Sequence, residues 1–127
     1  MALFYTESLT IGYSDVQAAK KWWLATFDCK ETSVPSNWDN SLPSDVALKL
    51  PGNDEPAVLL CNQTEVDRAG LDLGYRHALI FCSNLKKAHE HFQLRNIAAG
   101  PIQESGGTQF FEIRDPEGNV IEVCKEP

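Results

Sequence analysis

The sequence predicts an α+β domain made of two successive βαβββ halves. Two observations carry that expectation: short runs of period-two apolar alternation that read as strands, and the same order of elements appearing twice. A third is a closing pair of strands joined by a Pro- and Gly-containing turn, Phe110 to Val123. Moved back by 69 positions, Ser83-Asn84-Leu85 falls on Ser14-Asp15-Val16, Ile80 on Ile11, Ala88 on Ala19 and Phe92 on Trp23. The 127 residues fit a single domain, 1–127, with module 1 at about 1–63 and module 2 at about 75–127.

In the first half, Leu9, Ile11 and Tyr13 alternate with Ser8, Thr10 and Gly12, giving a strand from Ser8 to Tyr13 with one greasy and one small polar face. Ser14 or Asp15 can cap the helix that follows, because a short side-chain oxygen there accepts a bond from an unpaired backbone N–H. Val16, Ala19, Trp22 or Trp23, and Phe27 recur at helical spacing, and the helix reaches about Thr26. Strands are expected near Glu31 to Pro35, Val46 to Leu50 and Ala57 to Cys61, with a loop over Ser36 to Pro43 and a turn at Pro51-Gly52-Asn53-Asp54. Asn62 to Gly74 reads as a polar linker. The second half predicts a strand from Arg76 to Cys82 and a helix from Leu85 to Arg95. Further strands are expected at Ile97 to Gln103, Thr108 to Arg114 and Val120 to Lys125.

A composition 43% hydrophobic and 23% charged is that of a globular chain. A net charge of −7 opposes nucleic acid as a partner and draws cations by long-range attraction. No apolar run reaches the roughly 20 residues of a membrane span, so no membrane partner is expected. The first residues lack the basic start and apolar core of a signal peptide, and the expectation is a cytoplasmic protein. Its four cysteines, Cys29, Cys61, Cys82 and Cys124, are then thiols, and no CxxC pair signals zinc or redox chemistry. Gly106-Gly107 is a flexible turn without the strand and helix context of a phosphate loop. His89 and His91 lie two apart on the second helix and share no face; a solvated surface is expected for both.

Glu122 is a carboxylate among apolar strand residues, which costs free energy unless that face opens on water, a metal or a ligand. The segment Asp115-Pro116-Glu117-Gly118-Asn119-Val120-Ile121-Glu122-Val123 resembles the terminal hairpin of the vicinal oxygen chelate superfamily, the glyoxalase, bleomycin-resistance and extradiol-dioxygenase proteins. Ser14-Asp15-Val16 through Lys21-Trp22-Trp23 is similar to that family's strand-to-helix entry, and Asp28-Cys29-Lys30 stands where it usually has Leu-Gly-Phe. The resemblance implies two βαβββ modules whose curved mixed sheets surround a central cavity, in a homodimer.

The resemblance also implies a site. Carried over, the family's four metal-ligand positions fall on Ser8, Leu60, His77 and Glu122, of which His77 and Glu122 are ligand types. Thr10, Leu79, Phe81 and Phe111 or Phe110 would line the cavity. Trp38, an aromatic residue in a polar loop, would close over a ligand or pack on a dimer partner. The expected cofactor is none or one divalent metal ion. The favoured function is binding of a small molecule, a cationic aromatic one in the charge-based reading, by a sequestration or resistance-like protein. The alternative is a divalent-metal-dependent lyase, isomerase or dioxygenase using His77 and Glu122, with Glu122 the catalytic candidate, desolvated enough to act as a general base.

Overall fold

Alternation decides the strands and capping decides the helices. The computed structural model describes residues 4–38, 41–73 and 78–127. Module 1 runs β1 (Leu9–Tyr13), α1 (Val16–Phe27), β2 (Lys30–Thr32), β3 (Val46–Lys49) and β4 (Val58–Asn62). A short helix, α2 (Gln63–Arg68), leads out of it. Module 2 repeats the order as β5 (Ala78–Cys82), α3 (Leu85–Leu94), β6 (Gln103–Ser105), β7 (Thr108–Arg114) and β8 (Val120–Lys125). The sheets are ordered β1-β4-β3-β2 and β5-β8-β7-β6. Each is mixed, with β1 parallel to β4 and β5 parallel to β8, and the remaining pairs antiparallel.

The repeat is physical as well as positional. Asp15 accepts a bond from the Ala18 N–H and Asn84 accepts one from the Lys87 N–H, so each long helix starts on the same Asx cap. Below the caps, Val16, Ala19, Trp23 and Phe27 of α1 cover Leu9, Ile11, Val58 and Leu60. Leu85, Ala88 and Phe92 of α3 cover Ile80, Phe111, Ile121 and Val123. The two layers meet in an aromatic knot. Phe4 stands edge-on to Phe27 at 5.3 Å and stacks on Phe92 at 5.4 Å, while Phe27 and Phe92 meet edge-on at 5.6 Å. All three rings are fully buried.

Polar contacts lock the same junction. His91 Nε2 lies 2.7 Å from the Thr26 carbonyl oxygen, and Arg95 reaches both the Ala25 carbonyl and the Asp28 carboxylate. On the sheet side, Tyr5 and Phe81 exchange backbone bonds of 3.1 and 2.8 Å, so the segment before β1 runs along β5. The Thr6 hydroxyl adds a 2.8 Å bond to the Leu79 carbonyl.

The terminal turn makes the most concentrated link. Asp115, 6% exposed, accepts from the backbone N–H groups of Glu117 and Asn119 through Oδ1 and from the Asn119 side chain through Oδ2. Gly118 completes the turn at φ 83°, where a side chain would be strained. The turn so fixed projects Glu117 onto the start of α1. Its two oxygens accept from the Ser14 and Asp15 N–H groups at 2.9 and 3.0 Å. Behind it, the Trp23 indole N–H donates to the Tyr13 hydroxyl at 2.9 Å, and that hydroxyl in turn meets Asp115.

Several sequence expectations need correction. The polar linker contains α2, started by Asn62 accepting from the Glu65 N–H and anchored by buried Val66. The strand expected over Ile97 to Gln103 is reduced to one bridge, Ala99 to Ile113, before β6; Pro101 has no N–H to donate. His89 and His91 are half-buried instead of solvated. They flank the apolar stripe of α3, and each ring finds a backbone carbonyl: Gly100 for His89, against Phe111, and Thr26 for His91, against Phe4. Arg76 and His77 lie outside the described residues. Among the described residues no helix is long and apolar enough to cross a membrane.

All four cysteines are buried thiols. Burial pushes Cys29 up to about 12 and Cys82 up to about 11. Burial, with the Glu122 carboxylate second, pushes Cys124 up to about 12. Since the thiolate is the nucleophile, a disulfide reagent such as Ellman's should leave the native protein unmodified over minutes at pH 8 and titrate four thiols once it is denatured. Rapid native reaction of Cys124 would contradict the burial.

Burial alone would raise the Glu117 carboxyl, but the Ser14 and Asp15 N–H groups and the Ser14 hydroxyl outweigh it and hold it below its ordinary value. A depressed acid stabilises the fold above its unfolded pKa and loses that contribution as pH falls through the folded one. Glu117→Gln should therefore lower stability at pH 7 by about 0.5–1 kcal/mol, small because the group is exposed. Thermal melts should show the gap between the two proteins closing as pH drops below about 4.

Candidate ligand-binding hollow

The helices cover one face of each sheet and leave the other face open. Strand register assigns every residue to a face, because paired neighbours point the same way. In module 1, Ile11 pairs with Leu60, and both are buried under α1. Thr10 pairs with Leu59 and Gly12 with Cys61 on the opposite, open face. In module 2, Phe111 pairs with Val123 toward α3. Phe110 pairs with Cys124, and Glu112 and Leu79 both pair with Glu122, on the open face.

Two of the predicted lining residues are therefore corrected. Leu60 and Phe111 are fully buried core residues; Leu59 takes the open face in module 1, and Phe110, the named alternative to Phe111, takes it in module 2. Each sits in a run of consecutive apolar residues, where alternation gives no sign of phase. The remaining predictions are distributed as follows. Ser8, Thr10 and Trp38 come together with Leu59 around a hollow of about 220 Å³. Thr10 also lines a neighbouring space of about 310 Å³ at the module junction, with Gly12, Gln63, Leu73, Ala78 and Val120. The end of the Gln63 side chain lies over Gly12, in the space a Cβ there would take. Leu79 and Glu122 are paired beside that junction on β5 and β8. Phe81 lies on the same face two residues further, beneath the Tyr5 ring at 5.5 Å, and lines a different cleft. His77 lies outside the described residues.

Glu122 is half-buried, and the Cys124 thiol points at its Oε1 from 3.5 Å. Phe81 and Phe110 flank Cys124 across β5 and β7, which accounts for a buried thiol on an otherwise open face. Glu112 stands directly opposite Glu122 in the β7–β8 ladder. Like charges directly opposite each other in a ladder disfavour one another. Sequence reading missed Glu112, although its same-face spacing from Phe110 was available once the phase of β7 was known.

The metal that the resemblance implies can be tested against these residues. Among the described residues, Ser8 offers a neutral hydroxyl, Leu60 and its open-face neighbour Leu59 offer no donor, and Glu122 alone is a ligand type. No group of three or more His, Cys, Asp or Glu side chains converges among the described residues. The described donor set does not fit a divalent ion.

No protein-family model and no curated protein matches this sequence. Solved structures do. A lactoylglutathione lyase from Agrobacterium tumefaciens superposes with a TM-score of 0.71 at 20% identity, over 93% of this chain and 91% of its own. A glyoxalase/bleomycin resistance protein/dioxygenase superfamily member from Sphaerobacter thermophilus gives 0.71 at 20% identity, over 96% and 97%. TnmS3, an antibiotic binding protein from Streptomyces sp. CB03234, gives 0.66 at 16% identity, over 97% and 96%. The paired βαβββ modules, their mixed sheets and these superpositions together establish that the chain has the glyoxalase/bleomycin resistance/dioxygenase fold.

Proposed function

We propose that the chain binds a small cationic aromatic molecule in the hollow in front of β1, β4, β5 and β8, as a sequestering protein. The observation that carries this reading is the chemistry of the open face. Ser8, Thr10, Leu59 and the Trp38 ring of module 1 surround one hollow, and the open face of the module 2 sheet carries Glu122 with Glu112 opposite it. An apolar wall with a few polar groups and an aromatic ring suits an organic ligand. The acidic pair suits a positive charge, and a ring face adds cation–π attraction of about 0.5–2 kcal/mol. The net charge of −7 raises the local concentration of such a ligand. The likeness to an antibiotic binding protein, TnmS3, supports the same reading.

Trp38 makes the test direct. Titration with 9-aminoacridine, cationic at neutral pH, should quench tryptophan emission saturably, and Trp38→Phe should remove most of that change, since Trp23 is buried in the core and the half-buried Trp22 packs against that core from α1, away from the open face. Glu122→Gln should weaken binding by about tenfold, the loss of one charge-assisted contact. No saturable response at millimolar ligand, or one that Trp38→Phe leaves intact, would refute the proposal.

A further inference from the structure

The hollow beside Trp38 holds about 220 Å³, less than the roughly 300–1,000 Å³ of most small-molecule sites. It adjoins the space of about 310 Å³ at the module junction, because Thr10 borders both. Ser8, just before β1, and Thr10 and Gly12 within it follow one another on the open face. Each step is about 7 Å, so the two spaces lie end to end along about 13 Å of chain. The first end holds the indole ring. At the second, the lining among the described residues carries no charge: Thr10, Gly12, Leu73 and Val120 are joined by the amides of Gln63 and Asn119.

One of these amides has a fixed orientation. Gln63 is the first residue of α2, and its Nε2–H donates at 2.9 Å to the Asp67 carboxylate one turn further on. A carboxylate accepts and does not donate, so the amide nitrogen faces Asp67 and the oxygen is turned over Gly12. Oε1 is thus a neutral acceptor at the junction end, beside the Leu73 methyl. Two residues further along the same helix, the Glu65 oxygens accept from the Ser44 N–H and hydroxyl, both at 3.1 Å. Ser44 belongs to the β2–β3 connection, which also carries Trp38. α2 therefore presents the acceptor at one end and grips the base of the Trp38 connection at the other. Groups already held in place lower the ordering cost of binding.

Building on the cation-binding reading above, on which this rests, we infer that the ligand is elongated: its cationic ring stands beside Trp38, and a neutral arm follows β1 past Thr10 to end in a hydroxyl or N–H that donates to Gln63 Oε1. A second charge on the arm would lose water against a lining with no counter-charge, which costs free energy. An arm without a donor would strip water from Oε1 and leave that acceptor unpaired.

Fluorescence titrations of the full-length chain with 9-(5-hydroxypentylamino)acridine and 9-(pentylamino)acridine, equal in ring and charge, test this. The hydroxyl compound should bind about fivefold more tightly, the contribution of one neutral hydrogen bond. Gln63→Leu should bring that ratio close to one. Gly12→Ala should do the same, because its methyl takes the place of the amide end. Gln63 is exposed and Gly12 has no positive φ, so both variants should fold. In the 15N-labelled chain, the hydroxyl compound should shift the Gly12, Gln63 and Val120 amides more than 9-aminoacridine does. Saturable quenching by 9-aminoacridine with no gain from the hydroxyl, or a gain that Gln63→Leu leaves intact, would overturn the elongated ligand and leave the cation site standing. No saturable response to any of the three compounds would overturn both.

Discussion

The five-residue turn from Asp115 to Asn119 is the constraint on which the rest of the architecture depends. Asp115 is one of three buried polar or charged side chains among the described residues, and a buried carboxylate is tolerated only when its oxygens are filled. Here the turn's own N–H groups fill them, and the Tyr13 hydroxyl closes the set. The geometry that satisfies Asp115 also aims Glu117 at the start of α1, where unpaired N–H groups and the positive end of the helix dipole await an anion. One turn thus joins the last hairpin of module 2 to the first strand and first helix of module 1.

That docking explains where a site can form. With α1 and α3 drawn together over the Phe4, Phe27 and Phe92 knot, both helices lie on one side of the sheets. The opposite faces keep hydroxyls, a glycine, acids and scattered rings. A stable core and an open, chemically mixed surface are two consequences of a single packing choice. Neither face could serve the other purpose: Leu60 and Phe111 are needed under the helices, while Glu122 would be destabilising there.

Much of this was legible in the sequence. β7 and β8 have their expected bounds, because the Pro-Gly turn between them fixes register. β1 and α1 were readable from clean alternation and an Asx cap. The phase of Val58-Leu59-Leu60-Cys61 and of Phe110-Phe111 was not, since a run that is apolar at every position looks the same shifted by one. Only pairing with Ile11 and Val123 settles which residue faces out. α2 was hidden by its brevity and polarity, although Asn62 followed three residues later by Glu65 is the pattern of a helix start. The histidines of α3 were misjudged because same-helix spacing says nothing of partners supplied by other segments, here Gly100 and Thr26.

The central claim is that Asp115 organises both modules and not only its own turn. Amide hydrogen exchange on Asp115→Ala tests it most directly. The account predicts lost protection in the Gly118–Asn119 turn and equally in β1 around Tyr13 and the first turn of α1, distant in sequence and joined to the turn through Glu117 and the Tyr13 hydroxyl. Loss confined to residues 115–119, with β1 and α1 protected as in the parent chain, would contradict it.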